Sequence, residues 1–182
     1  MKKLFALITF FSFAIGTQAQ DIFNTGTAKC VITSSTALES FTGTSTTSSI
    51  ALNIKTGAIY SKVTITSLKF ERELMQEHFN ENYMESDKYP TATFKAAIDK
   101  LPSLTTNGTY NVTVTGQLTI HGVMKTRTIP ATITVSAGKI HVHCSFTVKP
   151  GDHNIAIPSV VAGKIASDIP VSIDADLTLY KE

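Results

Sequence analysis

Apolar and polar residues alternate most regularly between Tyr110 and Val135, in two runs separated by Gly122. A period of two places successive side chains on opposite faces, so each run predicts a strand with one buried face. Gly122 provides the backbone freedom for a tight reversal between the two runs. The stretch therefore predicts a β-hairpin with two apolar faces: Val112, Val114, Leu118 and Ile120, then Ile129, Ala131, Ile133 and Val135.

Shorter alternating segments predict further strands on either side of this hairpin. Leu68 and Phe70 fall out of phase with the preceding residues, which predicts a bulge near Thr66–Ser67. Residues 71–86 show helical spacing and predict one short helix before Pro90. The other predicted strands are residues 28–34, 50–54, 58–70, 91–98, 140–148 and 171–179, with the Ser- and Thr-rich residues 33–49 as a loop and polar strand.

These elements predict an all-β fold, an antiparallel eight-stranded β-barrel with one short helix. The last strand alternates as strongly as the central ones, which favours pairing on both sides over an exposed edge. An eight-stranded barrel can enclose one small apolar ligand. We expect the lumen and ligand contacts to be Ile65, Phe94, Val112, Val114, Leu118, Ile120, Ile133, Val142, Phe146, Ile173 and Leu177, with Met75, His78 and Phe79 of the helix at the entrance.

The chain begins with Lys2 and Lys3, an apolar run from Leu4 to Ile15, and small residues ending at Ala19. This order predicts a signal peptide, residues 1–19, followed by one domain over residues 20–182, in the periplasm or secreted. The apolar run is too short to span a bilayer, so we do not expect an integral membrane protein. The two lysines account for the whole excess of 16 basic over 14 acidic residues, which argues against nucleic acid as a partner.

The two cysteines, Cys30 and Cys144, are not in a CxxC pair, which disfavours redox catalysis and a structural zinc site. If the strands pair in sequence order, the last strand lies between the two cysteine-bearing strands. Two strand spacings are about 9–10 Å, whereas the Cα atoms of a disulfide lie about 4.4–6.8 Å apart. We therefore expect both thiols to be free.

Catalytic patterns are weak in this sequence. No GxSxG motif occurs, and Asp174 and Asp176 fall on the polar face of the last strand. We therefore predict no enzyme and no cofactor. Metal binding is a stronger alternative than catalysis, because the side chains of His141 and His143 leave the same face of one strand. His78 with Glu77 or Glu81, and His121 or His153, could add ligands if the fold brings them close.

Residues 118–125, with the sequence LTIHGVMK, resemble the LTxHGVTK signature of YceI-like domains. Residues 74–79 and 88–94 are similar to the LMxEHF and YPxATF blocks of that family, and residues 146–155 are weakly similar to a late block. The Ser- and Thr-rich residues 33–49 depart most from the family pattern. The resemblance implies a lipocalin-like barrel that is exported, binds a polyisoprenoid or another lipid tail, and has no established catalysis.

The sequence thus leads to a first hypothesis, an exported carrier of an apolar lipid, which the resemblance implies is an isoprenoid. One alternative is a barrel with a filled core that acts as a stress or interaction module without a ligand. The other is a histidine-based metal-binding protein. The identity of the lipid and the oligomeric state stay open at this point.

Overall fold

The computed structural model of the chain describes residues 21–180, in which eight antiparallel strands form a closed barrel. Each strand pairs with its neighbours in sequence order, and the last strand closes the ring against the first. This confirms the predicted fold class, whereas the predicted signal peptide lies outside the described residues. The strands are β1 (Ile22–Ser35), β2 (Ser40–Asn53), β3 (Ala58–Thr64), β4 (Thr91–Ile98), β5 (Gly108–Ile120), β6 (Val123–Ser136), β7 (Lys139–Val148) and β8 (Ile169–Leu179).

Strands β1 and β2 extend further than the sequence pattern indicates. The register between them shifts between Thr25 and Cys30, and such irregularities interrupt the alternation on which the prediction depends. On the inner side of β2, Ser48 donates a hydrogen bond to Ser45, whose hydroxyl also lies 2.7 Å from that of Ser67. These contacts let a Ser- and Thr-rich strand bury polar side chains without leaving them unpaired.

The region after β3 differs from the prediction. The strand ends at Thr64 and a 3-10 turn follows at Ile65–Ser67, so the predicted bulge is wrong. The backbone turns inward here because Ile65 is buried and its N–H donates to the carbonyl of Pro90. The helix α1 (Glu73–His78) is shorter than predicted and continues into a five-residue π-helical turn, Phe79–Tyr83.

The β5–β6 hairpin matches the prediction over its full length. Its register runs from Gly108 opposite Val135 to Ile120 opposite Val123. The two residues of the turn both have left-handed backbones, with φ of 50° at His121 and 73° at Gly122. This geometry follows the right-handed twist of the flanking strands, which is why such turns are favoured in hairpins.

Gly116 marks a close approach between β4 and β5. A Cβ atom at this position would lie 2.2 Å from the carbonyl oxygen of Lys95 and 2.3 Å from the Cβ of Ala96. Ala96 is the direct partner of Gly116 across the two strands. Only glycine therefore fits this point of the barrel wall.

The two ends of the barrel are built differently. At one end, called here the closed end, Leu104 from residues 99–107 is buried against inward side chains of the strands. The other end, called here the open end, carries the β1–β2, β3–β4, β5–β6 and β7–β8 connections, residues 36–39, 65–90, 121–122 and 149–168. The side chains that fill the closed end are Ile98, Leu104, Val112, Val135, Ile140 and Leu177.

Within residues 21–180, no helix has both the length and the apolar character needed to cross a membrane.

Candidate functional site: an apolar cavity in the open half of the barrel

A cavity of about 230 Å³ occupies the half of the barrel next to the open end. All eight strands contribute to its wall, and the β3–β4 and β7–β8 connections cover it. Among the described residues, no Asp, Glu, Lys, Arg or His side chain lines it. A cavity with this lining binds by removing apolar surface from water.

Most residues expected in the lumen do line this cavity. Apart from Ile65, they lie on the inner faces of strands β4 to β8, where the alternation fixes which side chains point inward. The helical segment contributes Met75 and Phe79, as expected for the entrance. The predicted residues found in the lining are Ile65, Phe94, Val114, Leu118, Ile120, Ile133, Val142, Phe146 and Ile173. Ligand contact by these residues stays a prediction.

Three of the predicted residues lie elsewhere. Val112 and Leu177 point inward but belong to the packed side chains of the closed end, below the cavity. His78 is half-buried on α1 and does not reach the cavity. Alternation indicates which way a side chain points. It does not indicate how far the packed side chains of the closed end extend into the barrel, which depends on the loop that carries Leu104.

The sequence prediction missed the part of the lining that comes from irregular segments. Tyr83 follows α1, whereas Ile155, Ile157 and Ile165 belong to the β7–β8 connection. None of them lies in a strand or in a long helix, so no period marks them. Ile155 and Ile157 do alternate with exposed residues, which is the one local signal available.

The helical segment is held over the cavity by specific contacts. The Gln76 side chain donates to the carbonyl of Leu68 and accepts from the N–H of Phe70, at 3.0 and 3.2 Å. The ring of Phe70 also packs against Phe79, with the ring centroids 4.7 Å apart. α1 is therefore fixed to the chain that leads into it, with Met75 and Phe79 turned toward the cavity.

The β7–β8 connection fills a gap between β6 and β7. The β6–β7 pairing stops at Ala131, so residues 123–130 have no strand partner on that side. The 3-10 turn Pro150–His153 lies there, and Nδ1 of the buried His153 is 3.1 Å from the carbonyl oxygen of Val123. The wall beside the cavity is thus completed by a connection rather than by a strand.

His121 ties the open-end connections together. Its Nδ1 lies 3.1 Å from the carbonyl oxygen of His153, and its Nε2 lies 2.7 Å from a carboxylate oxygen of Glu85. The ring of Tyr89 packs edge-on against the imidazole of His121, with the two ring centroids 4.3 Å apart. His121 has a structural role here and does not line the cavity.

Cys30 and Cys144 lie in one row across the cavity wall. Both are the cross-strand partners of Ile173, one from β1 and one from β7, with β8 between them. Both thiols are free, which confirms the prediction. Burial raises the pKa of Cys30 to about 12 and that of Cys144 to about 11, and the nearby Cys144 adds to the effect on Cys30.

His141 and His143 do share the outer face of β7, but each is paired with an aspartate of β8. Nδ1 of His141 lies 2.9 Å from Asp176, and Nδ1 of His143 lies 2.8 Å from Asp174. Across residues 21–180, no group of three or more His, Cys, Asp or Glu side chains has the arrangement to hold a metal ion. The geometry therefore gives the metal-binding alternative no support.

The chain belongs to the YceI-like family, because the family model described as the YceI-like domain matches residues 15–177. A polyisoprenoid binding domain from Saccharophagus degradans, implicated in plant cell wall breakdown, has a similar structure at 16% identity. The similarity covers 88% of this chain and 99% of that one, with a TM-score of 0.77. The resemblance stated from residues 118–125 and the two flanking blocks is thereby confirmed.

Two further structures share the fold. Burkholderia cenocepacia BcnA is 18% identical over 83% of this chain and 96% of its own, with a TM-score of 0.68. The Campylobacter jejuni YceI protein is 22% identical over 73% of this chain and 80% of its own, with a TM-score of 0.58. No functionally curated protein matches the chain. At these identities the structures establish the fold and not the ligand.

Proposed function

We propose that this protein is an exported, non-enzymatic carrier that holds the apolar chain of a lipid, in particular an isoprenoid, inside the barrel. The observation that carries the proposal is the cavity, which is enclosed by all eight strands and lined without a charged side chain. The isoprenoid rests on family membership and on the polyisoprenoid binding of the Saccharophagus degradans domain. Export, to the periplasm or outside the cell, rests on the pattern of residues 1–19.

The same geometry weighs against the module with a filled core. That description suits the closed end, where Leu177 is fully buried. It does not suit the open half, where an apolar cavity of about 230 Å³ lies behind the connections. An apolar space of this size loses packing contacts along its whole lining unless a guest occupies it.

Lipid extraction and native mass spectrometry of the purified protein test the proposal. We expect an apolar molecule to co-purify, with affinity rising about fourfold for each methylene group buried in a homologous series of chains. Ile120→Asn places an amide in the lining and should reduce bound lipid per folded protein at least tenfold. Circular dichroism reports the folded fraction.

The matched control is the double variant His141→Ala, His143→Ala on the outer face, which should retain its lipid. Loss of lipid in that control with retention in Ile120→Asn would show that the guest lies outside the barrel. Recovery of lipid in the control on adding Zn²⁺ would instead support a metal role. An empty cavity after expression in a lipid-containing host would contradict the carrier function itself.

A further inference from the structure

Among residues 21–180, the most exposed large apolar side chains all lie around the open end. Leu38, Leu74, Met124 and Val160, called here the rim, are 74%, 61%, 61% and 87% exposed. The other exposed large apolar residues lie at the closed end, and none is more than 44% exposed. Those closed-end residues are Ile22, Tyr60, Leu101, Leu179 and Tyr180. Exposed apolar groups clustered at one site of a protein indicate an interaction surface.

The segments that carry the rim are in contact with one another. Leu38 lies against Gly163, with its Cδ1 3.2 Å from where a glycine Cβ would stand, and Gly163 follows Val160 in the same connection. Glu39 forms an ion pair with Arg72, which lies two residues before Leu74. Met124 is the second residue of β6, beside the β5–β6 turn at the same end. The rim is therefore assembled from three connections and the start of one strand.

Three of the four rim residues are close in sequence to a residue of the cavity wall. Phe41 follows Leu38, Met75 follows Leu74, and Ile165 follows Val160, and all three line the cavity. The segments that carry these exposed apolar groups therefore also form the wall of the cavity. A flat protein partner would not need this arrangement, whereas a bilayer both accommodates the rim and meets the cavity behind it.

The charge of the rim selects the kind of bilayer. The four connections of the open end, residues 36–39, 65–90, 121–122 and 149–168, carry five Lys and Arg residues against nine Asp and Glu residues, a net charge of −4. A net negative charge is repelled by an anionic surface and not by a neutral one. The surface that complements the rim is a zwitterionic phospholipid layer, into which the apolar side chains of the rim insert.

We propose that the rim docks the open end of the barrel onto a neutral, zwitterionic bilayer, so that a guest moves between bilayer and cavity without crossing water. The docking stands on the rim itself, and only the passage of a guest rests on the proposed carrier function. Because the rim side chains are already exposed, replacing them should leave the fold unchanged.

Flotation of the full chain with phosphatidylcholine vesicles tests the proposal. The double variant Leu38→Asp, Val160→Asp should bind at least tenfold more weakly than the unchanged chain. The matched control Leu101→Asp, Leu179→Asp carries the same substitutions at the closed end and should change binding less than twofold. Any contribution of residues 1–20 is common to all three proteins, so it cancels in the comparison.

Several outcomes would overturn the docking proposal. They are no binding of the unchanged chain, equal losses in the rim and closed-end variants, or binding that requires phosphatidylglycerol and disappears in high salt. A change of molar mass by light scattering in the rim variant without vesicles would assign the rim to a second copy of the chain. Lipid extraction separates this proposal from the carrier function, because the rim variant should keep its guest. Rim-dependent flotation of a protein with an empty cavity would support docking and contradict the carrier.

Discussion

His121 and Glu85 lie 36 positions apart in sequence, and their side chains meet at 2.7 Å beside the cavity. The contact joins the β5–β6 turn to the segment that follows α1. His121 is only 8% exposed, and both residues have left-handed backbones, with φ of 50° and 42°. Non-glycine residues hold such conformations when the surroundings compensate for the strain. Here the hydrogen bonds of the imidazole provide that compensation.

Replacing His121 should therefore loosen the open end. His121→Ala removes both hydrogen bonds and leaves Glu85 and the His153 carbonyl without their partner, so we expect a loss of about 2–4 kcal/mol in the free energy of unfolding. Urea denaturation measures this change. Asn tolerates a left-handed backbone, so His121→Asn should retain the turn and recover part of the loss. A loss no greater than that of the exposed variant His143→Ala would contradict the structural role of His121.

The division of the barrel into a filled and a hollow half predicts different effects for equally apolar positions. Leu177→Ala at the closed end should cost about 2–5 kcal/mol of stability and leave the chain length of the guest unchanged. Phe146→Ala in the cavity wall should enlarge the cavity and shift binding toward longer or bulkier chains. Thermal denaturation and lipid profiling measure the two properties. Similar lipid profiles in the two variants would argue against the boundary between the halves.

The buried thiols predict a specific loss of stability at high pH. Because burial raises the pKa of Cys30 to about 12 and of Cys144 to about 11, from an ordinary 9.0, the unfolded chain ionises first. Their contribution to stability is complete below pH 9 and falls as the pH rises through 11, by at most about 1.4 kcal/mol per pH unit for each thiol. The double variant Cys30→Ala, Cys144→Ala should lose less stability over this range.

Denaturant unfolding of both proteins at pH 8, 9.5 and 10.5 checks this prediction. Lysine and tyrosine residues titrate in the same range, but they do so in both proteins, so the difference between the two slopes isolates the thiols. Parallel curves would mean that the thiols are as solvated in the folded barrel as in the unfolded chain.

Gly116 should tolerate no side chain. In Gly116→Ala, the new methyl group would meet the Lys95 carbonyl oxygen, which belongs to the backbone and cannot move aside without breaking the β4–β5 pairing. We expect a loss of about 3 kcal/mol, at the upper end of what overpacking costs. Gly26→Ala is the matched control, because its Cβ would have nothing within 4 Å. Equal stability of the two variants, measured by urea unfolding, would refute the close approach.

The elements that the sequence predicts well are those where one physical constraint acts alone. In the β5–β6 hairpin, a buried face and a two-residue turn fix the pairing of the two strands and the inward faces of its two alternating runs. The sequence places Ile65 in the lumen, and Ile65 does line the cavity although the strand expected to carry it ends one residue earlier. Its burial follows from its apolar side chain whether the backbone there is extended or turned.

The elements that the sequence misses depend on contacts between distant segments. Val112 and Leu177 satisfy the alternation, but the packing of Leu104 places them below the cavity. His153 looks like a surface histidine in its polar surroundings, and it is buried because β6 and β7 part beside it. Neither the height of the filled layer nor the gap between two strands has a local pattern, so both required the assembled barrel.

Because its closed end is filled with packed side chains, the barrel is a pocket with one opening rather than a tunnel. A long ligand enters such a pocket with one end first and leaves through the same opening. The end that enters last is therefore the end that leaves first. Source and destination must then meet the same face of the protein, one after the other. A carrier of this shape binds the donor and the acceptor of its ligand in turn. It cannot pass the ligand directly between two partners that are bound at the same time.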